Sequence, residues 1–192
     1  MENLLVVVDM VNGFVNFGNL ADPKINKVTP NIVALIEKAK QKGMKILAFK
    51  DCHTPNDIEF QSFPPHCIKG TPECELIPEI KKYEDDMYVI EKPTTNGFVT
   101  PEFAGVMQRN KFDNIIVCGC CTDICVQNFC TSLMEYLQKN NIQTNVHVYE
   151  STVATFDSPT HNAQQYQKMA LEQMQKIGVN VKYDCPSCEK DC

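Results

Sequence analysis

The residues best suited to covalent chemistry lie in Val117-Cys118-Gly119-Cys120-Cys121-Thr122-Asp123-Ile124-Cys125-Val126. The apolar run from Asn114 to Cys118 reads as a short buried strand. Gly119 then supplies a turn and Thr122 a helix N-cap, which puts Cys125 in the first helical turn. The free backbone N–H groups there carry partial positive charge and favour a thiolate over a thiol. Strand, tight turn and cysteine on a helix N-terminus together make a workable nucleophile site. Attack on a carbonyl carbon produces an oxyanion, and the backbone N–H groups of Cys121 and Cys125 flank the turn that would receive it. Such a nucleophile needs a group to take its proton and later to protonate the leaving group. Asp9 follows the apolar run Leu4–Val8 and suits both tasks. Lys92 follows Met87–Ile90 and suits holding Asp9 in place and favouring the thiolate.

A second group of reactive residues sits in the stretch from Asp51 to Pro72, which is rich in proline, histidine and polar residues. A loop of this length inside a compact domain is usually functional. It contains Asp51, His53, Glu59 and His66, and holds two of the chain's 4 histidines. This mix of oxygen and imidazole donors suits Zn²⁺, Mn²⁺ or Fe²⁺. Alternate residues of an extended segment share a face, so Asp51 and His53 point one way and Cys52 the other. Phe63-Pro64-Pro65-His66 is stiff enough to hold His66 toward them. Asp57 competes with Glu59 for the role of an additional ligand.

The elements that must position these groups alternate between strand and helix. Leu4–Val8, Met44–Phe49, Met87–Ile90, Asn114–Cys118, Asn145–Val148 (ending near Glu150) and Val179–Val181 read as strands. The continuous β-branched run at Leu4–Val8 is expected at the centre of a parallel sheet. Asn31–Lys42, a short piece at Thr71-Pro72-Glu73, Thr100–Asn110, the stretch from Thr122 to Leu137 and His161–Lys176 read as helices. The pattern predicts a single three-layer α/β/α domain over residues 1–184 with a mostly parallel, doubly wound sheet, followed by a Cys-rich tail at 185–192. In such sheets ligands bind at the carboxyl ends of the strands. Asp9, Asp51, His53, Lys92 and, after one turn, Cys125 all fall there.

The 192-residue chain has 43% hydrophobic and 22% charged residues, as an ordinary globular protein does. A net charge of −6 argues against nucleic acid and anionic membranes as partners. No segment approaches the length of a transmembrane helix. No basic region precedes the first strand, so no signal peptide is expected and a cytoplasmic location is. The 11 cysteines are then expected to be mostly reduced, small core residues.

Asp9 with Phe14 after it, Lys92 after the third strand, and Gly119-Cys120-Cys121-Thr122-Asp123-Ile124-Cys125-Val126 together resemble the isochorismatase-like cysteine hydrolases, and within them the nicotinamidases. The resemblance runs from about Leu4 to Val181. It implies a triad of Asp9, Lys92 and Cys125 and a cis peptide between Cys120 and Cys121. It also implies one divalent metal, zinc first, held by Asp51, His53 and His66 with Glu59 as a fourth ligand. That metal separates nicotinamidases from relatives acting on isochorismate, ureidoacrylate or N-carbamoylsarcosine. The activity implied is hydrolysis of a small amide, nicotinamide, to nicotinate and ammonia, as in NAD salvage, and self-association is expected because relatives often do it. Phe14 is the first candidate to stack on an aromatic substrate, with Phe98 and Phe60 behind it and Cys120 beside the pocket. Val11 and Gly13 depart from the family's usual Gln and Asp, which leaves a related amide or ureido compound as the alternative substrate. A non-catalytic small-molecule or redox-sensing protein is the alternative from another class; it would not need Asp9 and Lys92.

Overall fold

The computed structural model describes residues 2–183, so the expected tail at 185–192 lies outside the described residues. Six strands form one parallel sheet: β1 (Asn3–Val8), β2 (Lys45–Asp51), β3 (Tyr88–Lys92), β4 (Asn114–Cys120), β5 (Asn145–Ala154) and β6 (Asn180–Lys182). Their spatial order is β3-β2-β1-β4-β5-β6. β1 is central because both its faces are apolar. Leu4, Val6 and Val8 enter one core, Leu5 and Val7 the other. The helices divide accordingly. α1 (Asn12–Val15), α2 (Thr29–Gln41) and α3 (Pro78–Lys81) cover one face. α4 (Pro101–Arg109), α5 (Gln127–Lys139) and α6 (Ala163–Lys176) cover the other. This is the expected three-layer, doubly wound arrangement.

The chain builds outward from β1 to β3, returns to the far side of β1, and builds outward again from β4. The order therefore reverses between β1 and β4, and the crevice beyond their carboxyl ends is the natural ligand site of such a sheet. Asp9 ends β1, and Cys121 follows β4.

Gly119 does not turn the chain; it continues β4 opposite Val8. Its φ of +118° suits glycine, and a Cβ there would lie 2.0 Å from the Val8 carbonyl oxygen. The turn comes two residues later. Thr122–Val126 is a single π-helical turn whose N-cap is Cys121, not Thr122, and α5 starts only at Gln127. β5 runs on to Ala154 instead of stopping near Glu150. Its register against β4 shifts between Val117 and Gly119, and the polar Glu150-Ser151-Thr152 at that irregularity hides the resumed pairing. The piece at Thr71-Pro72-Glu73 is only a 3-10 turn, Pro72–Cys74. α6 starts at Ala163, capped by Asn162, and buries Ala170, Leu171 and Met174 while Tyr166 and Met169 stay exposed.

Candidate active site

Three strand ends deliver a buried ion network. Asp9 leaves β1 with φ +51°, a left-handed conformation that non-glycine residues seldom adopt. Its side chain and that of Lys92 are completely buried. Lys92 Nζ lies 2.7 Å from Asp9 Oδ2, 2.9 Å from Asp51 Oδ1 and 2.7 Å from the Thr94 carbonyl oxygen. Cys125 Sγ stands 4.0 Å from the same nitrogen. Burial disfavours the Lys92 cation, but Asp9, Cys125 and Asp51 outweigh it and hold the pKa well above the ordinary lysine value. Burial would also raise Asp51; Lys92, His53 and His66 overrule it and keep that carboxylate ionised well below its usual range. Asp9 differs. Burial dominates, Lys92 opposes it, Asp51 adds repulsion, and the carboxyl is pushed up to about 6.

The same burial corrects the expectation of a resting thiolate. Desolvation pushes the Cys125 thiol well above the usual cysteine value; Lys92 pulls it down, but the charges of Asp9 and Asp51 add to the rise. Burial therefore favours the neutral thiol over the thiolate, beside an ionisable carboxyl. The helix-terminus argument fails because Cys125 is 5% exposed, where loss of water outweighs a partial backbone charge.

Next to this network, donor atoms converge. His53 Nε2 and His66 Nε2 lie 2.9 and 3.1 Å from Asp51 Oδ2. Both also lie 4.0 Å from Glu59 Oε1. Asp57 does not join the cluster; its Oδ2 is 3.1 Å from His53 Nδ1 on the outer side. His66 Nδ1 donates to the Pro64 carbonyl at 2.8 Å. With the Nδ1 protons committed outward, both Nε2 lone pairs face the Asp51 oxygen, an arrangement of acceptors that calls for a cation between them. The residues therefore fit a divalent metal: Asp51, His53 and His66 can bring one ligand atom each within 4.8 Å of the others. His53 responds to the same charges. Burial disfavours its cation, but Asp51, Glu59 and Asp57 raise its pKa.

Both clusters open into one cavity of about 330 Å³, lined in part by Phe14, Asp51, Glu59, His66, Cys121 and Cys125. The Phe14 ring stands 5.7 Å from that of His66. Phe98 is not there. It packs against Phe103, Phe129 and Tyr136 in the opposite core, so its expected substrate contact is withdrawn. Cys120 is also behind the wall, fully buried with Sγ 3.1 Å from the Asp9 carbonyl oxygen. Phe60 backs the metal-type cluster, 5.1 and 5.4 Å from the His53 and His66 rings. The Cys120–Cys121 peptide is cis. Leu20, Phe63, Ile124 and Phe156 also line the cavity and were missed as pocket residues. Ile124 and Phe63 stood inside motifs already singled out. Phe156 had no signal, because it follows the hidden half of β5.

The isochorismatase domain family matches residues 3–182. The chain belongs to the isochorismatase family. Nicotinamidase 1 of Arabidopsis thaliana is 36% identical over 176 residues, 83% of this chain and 72% of the relative. A pyrazinamidase of Pyrococcus horikoshii, solved in complex with zinc, shares the fold at a TM-score of 0.75 with 27% identity, covering 94% of this chain and 98% of that one. N-carbamoylsarcosine amidase from Thermoplasma acidophilum superposes at 0.81 with 28% identity over 100% of both chains. This family member is accordingly a hydrolase of the nicotinamidase and isochorismatase group. Among the described residues no helix is long and apolar enough to cross a membrane.

Proposed function

We propose that the chain is a metal-dependent amidohydrolase that converts nicotinamide to nicotinate and ammonia. One observation carries this reading: Asp51 and His66 of the Asp51-His53-His66 cluster line the same cavity as the Cys125 thiol, so a flat ring can meet a metal held there while its carboxamide meets the sulfur. The 36% identity to an Arabidopsis nicotinamidase supports it. A divalent ion held by Asp51, His53 and His66, with Glu59 in reach, supplies a Lewis-acid contact for a pyridine nitrogen when bound; zinc is the first choice, manganese and iron the alternatives.

The chain's own residues do the remaining chemistry. Phe14 forms an aromatic wall for the ring. Asp9, raised to about 6, takes the Cys125 proton as sulfur attacks the carboxamide carbon. Lys92 keeps Asp9 oriented and offsets the charge that develops around it. The backbone N–H groups of Cys121 and Cys125 receive the oxyanion. Asp9 returns the proton to the departing nitrogen, and ammonia leaves a thioester. Asp9 then takes a proton from water as water attacks that thioester. Nicotinate departs and the thiol is restored. All eight described cysteines are free, in keeping with a cytoplasmic setting.

The test is ammonia release from nicotinamide by as-purified, chelated and Zn²⁺- or Mn²⁺-reloaded protein, with Cys125→Ala as control. Activity is expected to vanish on chelation and in the variant, and to return on reloading. Activity that survives full metal removal refutes the metal role. Failure on nicotinamide in every metal form, with turnover of a ureido compound, favours the second reading, which the likeness to N-carbamoylsarcosine amidase supports.

A further inference from the structure

Phe156 lines the substrate cavity, and one residue outside that cavity ties it to the nucleophile turn. His161 lies flat on Phe156, with ring centroids 3.9 Å apart and planes 9° apart, and Tyr166 covers its other face at 3.8 Å. Its Nε2 is 2.7 Å from Asp123 Oδ2, and its Nδ1 is 3.0 Å from the Phe156 carbonyl oxygen. The backbone closes the same unit: Ser158 N–H donates to the His161 carbonyl at 2.9 Å, and His161 N–H to the Ser158 carbonyl at 3.1 Å. Asp123 stands two residues before Cys125 in the π-helical turn. Its Oδ1 is buried without a hydrogen-bond partner.

We propose that His161 is a positioning residue. It fixes the nucleophile turn through Asp123 and the aromatic wall of the cavity through Phe156, so that the attacking sulfur and the substrate ring keep one relative placement. The inference rests on the functional reading above. The physical case is that the two structures joined here come from different connections of the fold, and that beside the Thr122–Gln167 hydrogen bond of 3.4 Å His161 is the residue that touches both Asp123 and the Phe156 ring. The turn belongs to the link from β4 to α5, whereas Phe156 belongs to the link from β5 to α6. Single π-helical turns are rare and occur frequently at functional sites, and the anchored carboxylate here lies within the turn that carries the nucleophile. Reaction geometry is sensitive to misplacements of about an ångström. A bond of 2.7 Å to a carboxylate is in the strong, charge-assisted range.

The two arms can be cut separately. His161→Gln keeps an N–H donor for Asp123 but loses the stack on Phe156. His161→Phe combined with Asp123→Asn keeps the stack, removes the bond, and avoids leaving a buried carboxylate alone. A hydrogen bond to a charged group corresponds to a factor of about ten or more, and an aromatic pair to about two to ten. The double variant is therefore expected to lower kcat about tenfold with KM within about twofold. It should also change the rate of Cys125 alkylation by iodoacetamide about fivefold or more, in either direction. His161→Gln should instead raise KM about fivefold, with the smaller effect on kcat and little change in alkylation. Melting temperatures measured alongside separate these effects from partial unfolding. A parallel loss of kcat in both variants with KM and alkylation unmoved, or no change in any of these, overturns the proposal. If the wild type is inactive on nicotinamide, the functional reading falls, and the alkylation rates still decide whether His161 anchors the turn.

Discussion

Asp57 touches none of the three converging donor atoms directly, yet the structure makes it the residue that aims one of them. Its Oδ2 lies 3.1 Å from His53 Nδ1 and also accepts from Thr54 N–H at 2.8 Å, while Oδ1 accepts from the Thr54 hydroxyl at 2.7 Å. In Asp57→Ala the imidazole loses the acceptor that fixes its Nδ1–H tautomer, so part of the population presents a proton instead of a lone pair to the metal. A hydrogen bond to a charged group contributes about 1.5–3 kcal/mol, and the 23% exposure of this carboxylate puts it at the lower end. About 1.5 kcal/mol corresponds to a roughly tenfold weaker metal affinity. Asp57→Asn keeps an oxygen for the same N–H without the charge and should weaken binding only about threefold. The assay is competition for Zn²⁺ against a chromophoric chelator, with circular dichroism to confirm that both variants are folded. An Asp57→Ala protein that binds Zn²⁺ within about twofold of wild type would refute the argument that outer hydrogen bonds prepare this site.

Other substitutions probe the remaining assignments. Lys92→Met strands two buried carboxylates, Asp9 and Asp51; a loss of about 3–5 kcal/mol is expected from the urea midpoint, together with loss of turnover. Gly119→Ala places a Cβ 2.0 Å from the Val8 carbonyl and forces a φ of +118° on alanine. Separation of β1 from β4 should cost about 3 kcal/mol, read as a melting point lower by about 10 °C. Phe14→Leu should raise KM several-fold, whereas Phe98→Leu, buried in the other core, should lower stability by about 1 kcal/mol and leave KM alone. Asp9 gives a pH test with a defined sign. Its carboxyl moves from 3.8 to about 6 on folding, so the native state binds the extra proton between those values and loses that stability as pH rises through the window. Asp9→Asn should therefore be inactive yet gain stability relative to wild type from about pH 4 to 6; a constant difference across that range would contradict the raised value.

Most chemistry-bearing residues are legible in the sequence because they follow an apolar run, and strand ends in a parallel α/β chain point to one edge of the sheet. Strand ends alone place Asp9, Lys92, Asp51 and His53 at that edge, and residue type singles out His66 and Glu59. Sequence alone failed where the answer depended on side-chain environment. Phe14 and Phe98 are the same residue type a few positions past a strand end, but one lines the cavity from α1 and the other packs on α4 and α5. Cys125 was expected as a thiolate because a helix terminus is visible in sequence, whereas desolvation is not.

Local physics thus decided the layers, the strand centres and the identity of the reactive groups, since apolar periodicity and backbone termination are properties of short segments. Tertiary structure decided the rest. Burial pushed the Asp9 carboxyl up toward neutrality, because the cost of a charge depends on all surrounding atoms and not on its neighbours in sequence. The return of the chain from β3 to β4 put Asp9 beside the cysteine turn, because only pairing across the sheet brings residues more than a hundred positions apart within reach. The continuation of β5 past its irregularity delivered Phe156 and His161, through a register against β4 that no short segment encodes.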